Sequence, residues 1–294
     1  MFGLRKLALF LAVGGVALAQ DAPRLALEQV PLNSVGTVSS VAIDSSGVIY
    51  VLQRGDKADP VIAVDKQGKT LRSWGKGMFT VPHSVRVDPD GNIWTVDAGS
   101  STILKFTPQG KKLQEISVGE IATGDKCAFP TLCGTTDITF GPNGLLFIAD
   151  GYGNARILEY TSEGKRMKVW GSAGTGPGQF QIPHGIAYSG TTLYVADRGN
   201  SRVQRFDLDG KYLGEWTNLG RPFALKAAGG ALWVSTMFPK PTILKVELAT
   251  GKILGQIEAP GPHSIDVSES GEVVASGCCG GSSPNGYSWF HKAR

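Results

Sequence analysis

Beyond its first twenty residues the sequence has no apolar run near the roughly twenty residues that a membrane-spanning helix requires. Lysine and arginine are scattered, and no block of like charge forms the basic stripe that a nucleic-acid partner needs. No segment after the N-terminal stretch keeps a helical period of apolar residues. Cysteine and histidine are both scarce, four of each among 294 residues. A membrane span, a nucleic-acid partner and a helical fold are therefore not expected.

The N-terminus, MFGLRKLALFLAVGGVALAQ, places Arg5 and Lys6 before an apolar run that ends in the small-residue site Ala17-Leu18-Ala19. This is the pattern of a secretory signal peptide. It predicts cleavage near Ala19, a mature domain over residues 20–294 and a secreted or periplasmic location. No cysteine follows the apolar run, so a lipoprotein is not expected. Losing Arg5 and Lys6 takes the net charge from +4 to +2. In an oxidising compartment Cys127, Cys133, Cys278 and Cys279 can form two disulfides in three pairings. Cys127 with Cys133, closing a short loop, is the favoured one, and the spacings do not match a zinc ribbon.

What the chain has in abundance is glycine, 40 residues, together with alternating apolar segments and turn pairs such as Asp90-Gly91, Asp209-Gly210 and Gly164-Lys165. These indicate an all-β chain, and the segments repeat. VRVDPDGNIWTVDAGSSTILKFTPQGK, ITFGPNGLLFIADGYGNARILEYTSEGK and IAYSGTTLYVADRGNSRVQRFDLDGK share one order of strand, turn, strand, loop, strand and turn. Related copies lie upstream from Val41 and downstream from Leu225, and a degenerate sixth begins at Ser264. The aromatic or apolar residue read as ending each second strand is Tyr50, Trp94, Phe147, Tyr194, Trp233 and Val274, a repeat of about 45 residues. Six such units predict a six-bladed β-propeller, closed by a strand around Leu25 to Leu32 that completes the last blade. A closed propeller needs no partner to bury its edges, so a monomer is expected.

Three of the four histidines fall at one repeat position, in VPHSVRVD (His83), IPHGIAYS (His184) and GPHSIDVS (His263). Each opens the innermost strand of its blade, in blades two, four and six, so the three imidazoles converge on the propeller axis. Ser39, Thr136 and Phe223 hold the same position in the alternate blades. Three neutral imidazoles with an open fourth position describe a catalytic zinc site, and nitrogen ligands would also accept copper, nickel or iron. An antiparallel blade puts the end of its second strand beside the start of its first. Arg54, Asp97, Tyr152 and Arg198 therefore share the face that carries the histidines. A phenol and two guanidiniums there make an acid-base and anion-binding set. Asp97, Asp150 and Asp197 recur at one position and read as turn-bonding residues, as do Asn154, Arg156, Asn200 and Arg202. His291 lies outside the repeat and reads as a surface residue.

Motifs LQRG, DGYGNARI, PGQFQIPHG and ADRGNSRVQRF, with the three PH segments, resemble the NHL-repeat propellers and specifically the peptidyl-α-hydroxyglycine α-amidating lyases. The resemblance runs from about Val41 to Val274. It implies zinc on His83, His184 and His263, a catalytic tyrosine at Tyr152, a key arginine at Arg54 and a further cleft arginine at Arg198. It also implies dealkylation of a peptidyl α-hydroxyglycine to an amide and glyoxylate, with Tyr152 taking the hydroxyl proton and Arg54 holding an anionic group. The chain departs from the family at three positions. Gly261 replaces a methionine, Gly153 replaces a cysteine, and Ser264 replaces an aspartate associated with a structural calcium. No copper monooxygenase domain is read in the sequence, so this chain is not expected to make the hydroxyglycine itself. A related carbinolamide or α-hydroxy acid is another substrate class. Two further readings remain: a non-catalytic propeller that binds a peptide or protein, and a propeller hydrolase or lactonase with axial carboxylates.

Overall fold

The structure, a computed structural model, describes residues 25–119, 134–277 and 286–292. The proposed signal peptide and all four cysteines lie outside the described residues. Six four-stranded antiparallel sheets form the blades, each running from an inner to an outer strand. The inner strands are Thr37–Ile43, Pro82–Val87, Asp137–Phe140, Pro183–Ser189, Pro222–Ala228 and Ser264–Val267, in blades one to six. The sixth sheet is completed by Leu25–Pro31, which pairs antiparallel with Gly286–Lys292 from Leu25↔Lys292 to Pro31↔Gly286. The ring is therefore closed by the expected N-terminal strand. No helix among the described residues is long and apolar enough to cross a membrane.

The hairpins follow from a recurring aspartate. Asp44, Asp65, Asp88 and Asp207 each accept backbone N–H bonds from the residues two and four positions on. The glycines in these turns, Gly47, Gly68, Gly91 and Gly210, have φ between 79° and 86°, a conformation that disfavours any side chain. The second strands are almost continuously buried, as in Ile93–Asp97 and Leu146–Asp150, because both of their faces pack on neighbouring blades. Outer strands such as Thr70–Trp74 meet solvent. Six apolar clusters fill the interfaces between successive blades, for example Trp94, Val96, Ile138 and Ile148 between blades two and three. One expectation needs correcting. Tyr50, Trp94, Phe147 and Val274 are the second residues of their strands, and Tyr194 and Trp233 the third, rather than the last. The recurring feature is a buried residue at the hairpin end, aromatic in five blades and Val274 in the sixth, with the opposite strand end left to serve the cleft.

Across the axis, the inner strands are tied together by charge. Arg86 is buried and donates Nε to Asp137 Oδ1 at 2.9 Å, Nη2 to Asp137 Oδ2 at 2.6 Å and Nη1 to the Ile265 carbonyl at 2.8 Å. Asp137 also accepts from Ser84 Oγ at 2.7 Å and from the Ile186 amide at 3.3 Å. Asp266 takes Lys226 Nζ at 2.7 Å and the Ile43 amide at 3.0 Å. All six blades contribute to this layer. Breaking one partner of a buried ion pair typically costs about 3–5 kcal/mol, because the other charge is left in a low dielectric. Asp137→Ala is therefore expected to lose about that much stability in urea unfolding. Arg86→Met/Asp137→Leu should recover most of it. A loss below about 1 kcal/mol in the single variant would mean that the pair is effectively solvated.

Candidate metal centre and its cleft

The histidines owe their aim to a backbone irregularity. His83 and His184 are the second residues of their inner strands and sit in β-bulges, where pairing skips from Pro82 to Ser84 and from Pro183 to Gly185. Ser39 and Phe223 occupy the corresponding bulges of blades one and five. A bulge takes a residue out of the ladder and re-aims its side chain, here toward the axis. His263 directly precedes the inner strand of blade six, and its amide bonds the Ser276 carbonyl at 2.8 Å.

One ring nitrogen of each histidine is committed to the next blade. His83 Nδ1 lies 2.7 Å from the Thr136 carbonyl, His184 Nδ1 2.9 Å from that of Phe223 and His263 Nδ1 3.0 Å from that of Ser39. A carbonyl can only accept, so Nδ1 carries the proton and each Nε2 keeps its lone pair. Ligand atoms of the three residues lie within 4.8 Å of one another, and the ring centroids are 5.0–5.2 Å apart. Burial above all holds the three rings below the ordinary imidazole value, His263 at about 3. The Arg54 and Arg198 charges act in the same direction. Three buried neutral imidazoles, each fixed in one tautomer and converging on one point, fit a divalent metal ion.

Tyr152 caps this triad. Its Oη lies 2.9 Å from His83 Nε2 and 3.0 Å from His184 Nε2. Burial pushes the phenol up from its ordinary value, while the charges of Arg198 and Arg54 and a hydrogen bond from Arg198 oppose that rise. Arg54 ends the second strand of blade one and donates Nε to the Pro82 carbonyl at 2.8 Å, next to His83. Burial lowers its value, against the charges of Tyr152 and Asp97. Arg198 opens a short 3-10 turn after the second strand of blade four, and its guanidinium carbon lies 5.4 Å from the Tyr152 ring centroid. The structure thus gathers His83, His184, His263, Tyr152, Arg54 and Arg198 at one mouth of the channel.

The aspartates hold the loops. Asp97 accepts from the amides of Thr80, Val81, Gly99 and Ser100. Asp150 binds Asn154 Nδ2 and Arg156 Nε, and Asp197 binds Asn200 Nδ2, Arg202 Nε and the Gln181 amide. His291 lies on the third strand of blade six, Gly286–Lys292, half-buried, with its ring 4.3 Å from that of Trp289. It belongs to a blade rather than standing outside the repeat. A structural calcium does not fit the axis near Ser264. The Ser264 hydroxyl bonds Ser40 Oγ at 2.8 Å, and the channel carboxylates Asp137 and Asp266 are held by Arg86 and Lys226. Neither the axial ion pairs nor the packing of the Phe223 ring against His184 and His263 follows from the sequence pattern. A proline-led aromatic at the histidine position of blade five was the available signal for Phe223.

The NHL repeat profile matches residues 79–106 and 180–206. Over 208 residues the chain is 32% identical to the mouse peptidyl-glycine alpha-amidating monooxygenase, a match covering 60% of this chain and 21% of that protein. It is 30% identical over 215 residues to the peptidyl-alpha-hydroxyglycine alpha-amidating lyase 1 of Drosophila melanogaster, covering 60% of this chain and 39% of the relative. It is also 33% identical over 205 residues to the mouse NHL repeat-containing protein 3, covering 64% and 58% respectively. The matched region thus spans about a fifth of the length of the mouse monooxygenase and just over half that of the repeat protein.

Proposed function

We propose that this NHL-repeat propeller, a homologue of the peptidyl-α-hydroxyglycine α-amidating lyases at about 30% identity, is a zinc-dependent carbon–nitrogen lyase. Its substrate is a peptidyl α-hydroxyglycine or a similar carbinolamide, and its products are an amide and glyoxylate. The observation that carries the reading is the convergence of three Nε2 atoms on the axis with the Tyr152 hydroxyl 2.9 and 3.0 Å from two of them.

His83, His184 and His263 would hold the ion. Zinc bound there supplies a Lewis acid that polarises a substrate oxygen and lowers the pKa of its hydroxyl. Arg198 and Arg54 bring two positive charges to the cleft mouth, suited to the carboxylate next to the carbinol carbon. Tyr152, acting as the phenolate that the Arg198 and Arg54 charges favour against burial, takes the hydroxyl proton. The oxygen electron pair then forms the glyoxylate carbonyl, the C–N bonding pair passes to the amide nitrogen, and Tyr152 returns its proton to that nitrogen as the peptide amide leaves.

The test is release of glyoxylate from an α-hydroxyglycine-capped peptide by the purified mature protein. A zinc-selective chelator is expected to remove the activity and a calcium-selective one to leave it. Activity that survives the first and fails with the second would favour a lactonase-type site. The second reading is a non-catalytic propeller that binds a peptide or protein, since the chain is equally similar to a repeat protein whose name states no reaction. That reading predicts no glyoxylate and no metal retained through purification.

A further inference from the structure

The three histidines leave three gaps around the axis, one at each alternate blade, and the gaps are unlike. Blade three places the small Thr136 there, with the Tyr152 hydroxyl bridging His83 and His184 beside it. Blade one places Ser39, and Arg54 lies on the same sheet. Blade five places Phe223, whose ring fills the gap between His184 and His263 with centroids at 5.4 and 6.0 Å. The same ring lies under Arg198, whose guanidinium carbon is 4.9 Å from its centroid. Arg198 is otherwise lightly held. Its backbone bonds the Ile182 carbonyl at 3.2 Å, its side chain bonds the Tyr152 hydroxyl, and its Nε has no hydrogen-bond partner. Two aromatic rings therefore set where this cation sits. Tyr152 is held by its hydroxyl at the histidines, and Phe223 is the second and nearer platform. The Phe223 backbone is pinned in turn by the bond its carbonyl accepts from His184 Nδ1.

We infer that Phe223 is a positioning residue for substrate selection: its ring holds Arg198 against the cleft with a donor edge free for a carboxylate, and it closes one of the three approaches to the histidines. The inference rests on the lyase reading for the identity of the substrate, a peptide whose carbinol carbon bears a carboxylate. A guanidinium stacked on an aromatic face keeps its in-plane N–H donors for a planar anion. Arg198 therefore gives a carboxylate an advantage that its ester lacks.

The probe is a pair of unreactive peptides, one ending in glycine with a free carboxylate and one ending in its methyl ester. Binding of each to the metal-loaded protein is measured by calorimetry for the wild type, Phe223→Leu and Phe223→Tyr. Wild type is expected to prefer the carboxylate. Phe223→Leu should weaken the carboxylate by about three- to thirty-fold, the range that a partly desolvated cation–π contact supports, and leave the ester unchanged. Phe223→Tyr keeps the ring and should keep the preference. Equal weakening of both peptides in Phe223→Leu, or no preference in wild type, overturns the inference. A wild type that discriminates between the peptides but releases no glyoxylate would sink the lyase reading and leave the positioning role standing.

Discussion

His184→Ala is expected to purify without its metal ion and with glyoxylate release lowered on the order of 10³-fold. A Lewis-acid metal ion typically contributes several kcal/mol of charge stabilisation in a transition state, and each 1.36 kcal/mol is a factor of ten in rate. Among the described residues no second imidazole or carboxylate stands ready to replace the lost nitrogen. His83 and His263 have each committed Nδ1 to a carbonyl of the next blade, and no other group of metal-ligating side chains converges among the described residues. Phe223 fills the neighbouring gap and cannot coordinate. Elemental analysis and a glyoxylate assay on the same preparation check this. A variant that retains one metal per chain and wild-type turnover would remove the histidines from the account.

Tyr152→Phe is expected to keep the metal and lower kcat by about 10²–10⁴-fold, the range for removing a positioned acid-base group, with KM little changed. The substitution deletes only the hydroxyl that lies 2.9 and 3.0 Å from His83 and His184 Nε2. The ring stays, so the stacking contact with the Arg198 guanidinium survives although the bond from Arg198 to the hydroxyl is lost. Tyr152→Ala removes that contact as well and should raise KM. Steady-state kinetics on the two variants separate the proton-transferring role from the supporting one. Full kcat in Tyr152→Phe would place the base elsewhere in the cleft.

Much of the fold is legible in the sequence. Propeller geometry turns a one-dimensional repeat into an angular one, so residues that open the innermost strands of alternate blades converge on the axis. That rule located His83, His184 and His263, and the antiparallel pairing within a blade added Tyr152, Arg54 and Arg198. The closing strand at Leu25–Pro31 followed from the missing fourth strand of the last repeat. What escaped was contact between blades. Arg86 sits in an alternating segment, VPHSVRVD, where a period of two cannot say whether a side chain meets the channel or the adjoining sheet. Its pairing with Asp137 joins residues 51 positions apart. Phe223 was recognised as the histidine equivalent of blade five, but its place beneath Arg198 depends on how blades four and five meet. The degenerate last repeat also hid His291 within a blade, because the pattern fades after Val274.

Under the lyase reading, a metal ion held by His83, His184 and His263 is what makes the cleft catalytic. Metal-free protein prepared with a chelator and titrated with zinc in substoichiometric steps tests it most directly, with glyoxylate release from an α-hydroxyglycine-capped peptide followed at each step. Activity should rise in proportion to added zinc and level off at one ion per chain, and His184→Ala should stay flat throughout. Turnover that persists without metal, or an absence of turnover when one equivalent is bound, would contradict it.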